Sequence, residues 1–211
     1  MLRAFLLCLL LAAPSAAAAQ PRRLPPVDQC AADASFAAFR TSLLDAVARR
    51  DAAFVLSIVA DDIMFNFGGG EGRVAFSELW TLDRPEASGL WAELGAVLRL
   101  GCARDGDTMW APSMFRQLDD LEDPTSALVA LGGGAVVRAA PSEDSAALAR
   151  LEWDVLTWRS ADSPEDWVAV ALADGRAGFV RRDEVRSLLD YRAGFVRRGG
   201  RWRMHYFIAG D

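Results

Sequence analysis

Apolar and polar positions alternate with two different rhythms along this chain, and the change of rhythm divides it. From Asp33 the apolar residues Phe36, Phe39, Leu43, Leu44 and Val47 recur every three or four positions, the spacing of a helix that buries one face. Asp33 or Ser35 is available as its cap, and the helix runs to about Arg50. "DAAFVLSIVADD" predicts a short second helix capped by Asp51. "DDIMFNF" then has the β-branched and aromatic content of a strand. "VAFSELWTL" and "SGLWAELGAVLRLG" predict two more helices, the last stopped by Gly101. After "LDDLEDPTS" the texture becomes short apolar runs divided by turn residues: "ALVALGGGAVVRAAPS", "ALARLEWDVLTW" and "DWVAVALADGRAGFV". That pattern predicts a small all-β unit.

The chain closes with "DYRAGFVRRGGRWRMHYFIAGD", in which Gly199-Gly200 suits a two-residue turn needing positive φ. Simple pairing across that turn sets Phe195 opposite Met204 and Ala193 opposite Tyr206. One hairpin face then carries Tyr191, Ala193, Phe195, Trp202, Met204, Tyr206 and Ile208, and the other Arg192, Arg198, Arg201, Arg203 and His205. So apolar a face needs a cover, and either the β unit or the helical half can supply it.

The first nineteen residues change the picture of where the protein works. Arg3, the run "AFLLCLLLAA" and the small residues "AAAA" before Gln20 form the pattern of a cleavable secretory signal, with cleavage expected after Ala19. The apolar run is too short to span a bilayer, and no transmembrane segment is expected after cleavage. A periplasmic or secreted protein follows. The expected organisation is signal 1–19, an extended proline-rich leader 20–32, a mainly helical α+β region 33–126, the β unit 127–187 and the hairpin 188–211.

Export bears on the cysteines. Cys30 and Cys102 remain after cleavage, and two thiols in an oxidising compartment are expected to pair. Two thiols and one distant histidine do not make a zinc site, so neither metal nor other cofactor is expected. The formal net charge of −6 hides an asymmetry. Residues 176 to 203 hold nine arginines against Asp183, Glu184 and Asp190, a local balance of +6. This is either a solvated face with local ion pairs or an attraction to anionic surfaces, which outside the cytoplasm means wall polymers or lipid headgroups and not nucleic acid.

Two resemblances then bear on function. The segment 136–185 resembles a bacterial SH3-like domain, through "VRAAPSEDS", "ARLEWDVL" and "WVAVALADGRAGFV". Pro141 sets a turn, Gly175 permits positive φ, Gly178 allows close backbone approach and Phe179 is expected to pack inward. The resemblance implies a small SH3-like β-barrel. The flanks, "LLDAVARRDAAFVLSIVADDIMFNFGGGEG" and "YRAGFVRRGGRWRMHYFIAGD", resemble the ketosteroid-isomerase-like cone, also called nuclear-transport-factor-2-like. Together they imply an α+β fold with a helical N-terminal half, the barrel, and a hairpin that either joins the barrel or returns to the N-terminal half.

The candidate chemistry is sparse. "FNFGGGEGR" lacks the Lys-Ser/Thr of a P-loop and the G-x-G-x-x-G of a dinucleotide site. Its glycines with Arg73 could line an anion nest, which Glu71 would oppose. The cone resemblance implies an acid or base from Asp61, Asp62 or Glu71, with Tyr191 or Tyr206 as donor. His205 lies on the polar hairpin face, no serine has a nucleophile-elbow setting, and no residue is assigned as catalytic. Trp80 and Trp91 read as core, whereas Trp110, Trp153, Trp158 and Trp167 are candidates for a groove, with Glu71 and Arg73 as further ligand contacts. Three functions follow: a non-enzymatic exported protein docking peptide, peptidoglycan or a periplasmic partner through the SH3-like unit; a cone-type pocket for a small molecule or an isomerase reaction; and a structural, self-associating protein.

Overall fold

A computed structural model describes residues 21–68, 72–160 and 163–210; the signal assignment and Glu71 lie outside the described residues. The fold is α+β, with helices α1 (Ala34–Ala48), α2 (Ala52–Ile58), α3 (Arg73–Leu79) and α4 (Leu90–Arg99) and two sheets. Asp33 caps α1 by accepting from the Ser35 and Phe36 amides, and Asp51 caps α2 through the Phe54 amide. Both caps satisfy amides that the first helical turn leaves without partners.

The first sheet has five strands in the order β1 (Val59–Met64), β12 (Arg201–Ile208), β11 (Arg192–Arg198), β3 (Thr108–Ala111) and β2 (Ala103–Asp105). β1 runs parallel to β12 and the other pairs are antiparallel. The C-terminal hairpin therefore returns to the N-terminal half. Gly199 and Gly200 take φ of 56° and 78° at its tip, the turn that the dipeptide predicts. The short β2–β3 hairpin, absent from the helical reading of this region, turns on Gly106 with φ 56°.

A bulge alters the expected hairpin register. Phe195 does face Met204, but Gly194 then pairs with Tyr206 and Ala193 with Phe207, so His205 is the extra residue. Because strand faces alternate, one inserted residue exchanges them. Phe207 enters the core in place of Tyr206. Tyr206 instead stacks on Trp110, centroids 5.0 Å apart, across Gly194. The core face is closed by α1, α2 and α4: Phe36, Phe39, Phe195 and Trp202 meet at 5.0 to 5.8 Å. Burying Phe36 and Phe195 completely contributes about 2 kcal/mol each.

The second sheet has seven strands ordered β10 (Val185–Ser187), β4 (Ala127–Ala130), β7 (Val155–Ser160), β8 (Trp167–Ala171), β9 (Ala177–Arg181), β5 (Ala135–Arg138) and β6 (Ala147–Leu151). No ladder joins β6 to β10 among the described residues, so the expected closed barrel is not formed. The sheet encloses one core nonetheless, since Leu148 and Leu151 from one end and Leu128 and Val185 from the other pack with Val137, Val168 and Val170. Gly178 lies where a Cβ would come within 2.5 Å of Val137, which accounts for the glycine. Gly178 and Val180 face inward, and Phe179 is half-buried on the other side.

The leader from 21 to 28 has no helix and straps across the protein before the 3-10 turn at Gln29–Ala32. Leu24 is buried and donates to the Trp153 carbonyl, Val155 donates to Arg22, and Cys102 donates to Val27. Leu24, Met114, Val129 and Leu188 form a third small core against which Trp153 and Val155 pack. Cys30, in a 3-10 turn at Gln29–Ala32, is bridged to Cys102.

Candidate functional site

Among the groove candidates, Trp158 has the most exposed indole. It stands on β7 opposite Val170, its amide fixed to the Ser126 carbonyl at 2.7 Å, and is 45% exposed. An indole left in water beside a cleft is available for stacking. It borders a cleft of about 370 Å³ whose apolar side is Leu128, Val168 and Val185 and whose polar side is Thr125, Arg182, Arg186, Ser187 and Asp190. β4, β7, β8 and β10 thus supply the walls, and the turn after β9 supplies Arg182.

The two arginines differ. Arg186 is 8% exposed, donates to the Tyr191 carbonyl at 2.7 Å and meets Asp190 at 3.3 Å. Its charge is already paired. Arg182 is exposed and donates through Nε to the Glu165 carbonyl (2.7 Å) and through one terminal nitrogen to the Trp167 carbonyl (3.2 Å). It meets no carboxylate among the described residues. Behind Asp190, burial and the neighbouring Asp190 charge raise the pKa of Glu93 on α4. Burial, then Glu93 and Asp190, raise that of Tyr191. At the cleft rim Asp123 accepts from Ser126 and Thr125, which hold its carboxyl down at about 2.

The other candidates are placed elsewhere. Trp167 is buried beneath Arg181, whose guanidinium lies 5.8 Å from the ring and is paired with Asp183, Asp166 and Glu143. Trp153 is half-buried, with φ of 65°, and covers Gly132, where a Cβ would lie 2.2 Å from the ring. Trp110 stacks between Phe115 and Tyr206. Arg73 folds back on β1, donating to the Val59 carbonyl and pairing with Asp61 at 2.8 Å. These four make structural contacts, and none of them lines the Trp158 cleft.

Of the carboxylates and tyrosines implied by the cone resemblance, the described ones, Asp61, Asp62, Tyr191 and Tyr206, do not meet in one cavity. The interior between helices and sheet is filled by Phe36, Phe76, Leu90, Leu94, Met204 and Phe207. Asp62 is half-exposed, gripped by Arg198 at 2.7 and 2.9 Å and 3.3 Å from His205. The Arg198 hydrogen bond holds its carboxyl below the usual range. Tyr191 lies flat against Phe207, 5.0 Å away, while Tyr206 is on the opposite sheet face. No group of three His, Cys, Asp or Glu side chains is placed to hold a metal among the described residues, and no helix there is long and apolar enough to cross a membrane.

The arginine-rich stretch is split between the two sheets and largely spent locally. Arg176 pairs with Asp174, Arg181 with three acids, Arg186 with Asp190 and Arg198 with Asp62. Arg192 is buried over Phe115. Arg182 was not singled out from sequence because nothing in "VRRDEV" separates it from Arg181; the carbonyls that aim it belong to Glu165 and Trp167, 17 and 15 residues earlier at the start of β8. Comparison with family models, curated proteins and solved structures finds no match to this chain.

Proposed function

We propose that this is an exported, non-enzymatic binding protein whose SH3-like unit docks a peptide or cell-wall fragment in the cleft beside Trp158. The single observation that carries this reading is the half-exposed Trp158 indole bordering a cleft with an apolar wall and the Arg182 guanidinium, which meets no carboxylate among the described residues. An apolar surface with a few convergent polar groups is the usual make-up of a ligand site. The filled interior of the five-stranded sheet favours binding at this cleft over chemistry in a cone. The signal pattern and the Cys30–Cys102 bridge fit a periplasmic or secreted location, where peptidoglycan is the abundant ligand with both rings and peptides.

The test is retention of the purified mature chain on insoluble peptidoglycan at low and high salt, beside Trp158→Ala. Salt-resistant retention that falls about fivefold or more in the variant is expected, since stacking contacts of this kind are worth about 1 kcal/mol. Equal retention of the two proteins would remove the cleft from the account.

A further inference from the structure

We infer that the Trp158 cleft selects ligands that present a free peptide carboxylate, with Arg182 as the residue that binds it. This rests on the docking role proposed above and assigns that site its ligand chemistry.

The argument begins with how each cationic group in the cleft is held. Arg186 is buried with Asp190 against it; a ligand carboxylate reaching it would have to displace that partner. Arg182 is held differently. Its two hydrogen bonds go to neutral carbonyls, those of Glu165 and Trp167. They orient the planar fork without neutralising it. A guanidinium has five N–H donors, so three remain, including both on the other terminal nitrogen. An oriented, uncompensated fork is suited to bidentate binding of a carboxylate.

The rest of the lining is consistent with that ligand. Ser187 accepts from the Leu189 amide at 3.1 Å, leaving its hydroxyl hydrogen to donate. Thr125 donates to Asp123. Leu128, Val168 and Val185 offer no charge. Among the described lining residues Asp190 is the only carboxylate and is already paired with Arg186, so Arg182 gives the lining one net positive charge, with the Asp123 carboxylate outside it at the rim. A volume of about 370 Å³, near the lower end for ligand cavities, admits the end of a short peptide and not a folded partner. The carboxylate would lie on Arg182 while the adjoining apolar residue covers Leu128 and Val168 beside the Trp158 ring.

The experiment compares native insoluble peptidoglycan with the same material after its free carboxylates have been converted to amides. The full mature chain is used, as wild type, Arg182→Gln, Arg182→Lys, and a hairpin control carrying Arg197→Gln and Arg201→Gln. Wild type is expected to be retained at least about tenfold better on native than on amidated material. Arg182→Gln should bind both weakly and alike. Arg182→Lys, which keeps the charge without the fork, should keep part of the preference. The hairpin control should keep all of it.

Equal retention of wild type on both materials would overturn the carboxylate assignment while leaving the docking role standing. A preference that survives Arg182→Gln but disappears in the hairpin control would overturn it in favour of general charge attraction. No retention on either material would remove the docking role and this inference with it. Circular dichroism of each variant separates loss of binding from loss of fold.

Discussion

Removing the Cys30–Cys102 bridge gives a sharp test of how the leader is held. The bridge joins residues 72 apart in sequence. Closing a loop of that length removes enough denatured-chain entropy to stabilise the native state by about 4 kcal/mol. Around it the native backbone is pinned independently: Gln29 donates to the Cys102 carbonyl and Cys102 to the Val27 carbonyl, both at 2.9 Å. Reduction should therefore leave the native arrangement in place and act on the denatured state. For a chain of this size each kcal/mol moves the melting point by about 2–4 °C, so a fall on the order of 10 °C is expected. The assay is thermal unfolding followed by tryptophan fluorescence, for wild type with and without reductant and for the double Cys→Ala variant. The variant checks that the shift does not come from the new thiols, since both sulfurs lie in buried residues. Oxidised and reduced proteins melting within about 2 °C of each other would refute the entropic reasoning. It would mean the denatured chain already holds the leader against the 102 region.

Three further outcomes follow from packing and charge. Gly194→Val should lower stability by about 1–3 kcal/mol, because a Cβ there comes within 2.7 Å of Tyr206 and 2.9 Å of Trp110; urea unfolding measures it, and a loss below about 0.5 kcal/mol would deny the tight stack. Burial, and then Asp190, raise the pKa of Glu93 in the folded state, so its contribution is full below the ordinary glutamate range and is lost as pH rises through the raised value. Glu93→Gln should thus gain stability over wild type near neutral pH and nothing in acid, and a pH-independent difference between the two would contradict this. Asp123 has the opposite sign: its carboxyl is lowered to about 2, so its contribution is present above the ordinary aspartate range and is lost as pH falls toward 2. The stability gap between wild type and Asp123→Asn should close over that interval, and a gap that widens in acid would reverse the assignment.

Much of the local structure could be read from the chain because short-range chemistry sets it. Asp33 and Asp51 cap helices within three residues of themselves, the 3.6-residue period marks α1, and Gly199-Gly200 and Gly175 adopt the positive φ that their turns require. The expectation of an oxidising compartment pointed to the Cys30–Cys102 pair. The β2–β3 hairpin was also legible in principle, since "RDGDT" carries an Asp-Gly turn signal, but its strands of three and four residues are too short to show a period.

What only the tertiary structure decided depends on contacts between distant segments. The hairpin's apolar face fits any cover, and its choice of the N-terminal sheet followed from the parallel pairing with β1 and the edge offered by β3. One bulged residue, His205, exchanged Tyr206 for Phe207 in the core, and no local pattern encodes a slip of one position. The four candidate tryptophans read alike in sequence. Trp110 and Trp153 have neighbours packed against their rings and Trp167 is buried beneath Arg181, while Trp158 is left in water beside Arg182. Secondary structure is specified by neighbours in sequence, whereas the cleft is specified by residues from four strands and the turns that flank them. For that reason the sequence offered Trp158 as one candidate among several, and only the fold put it beside Arg182 and an apolar wall.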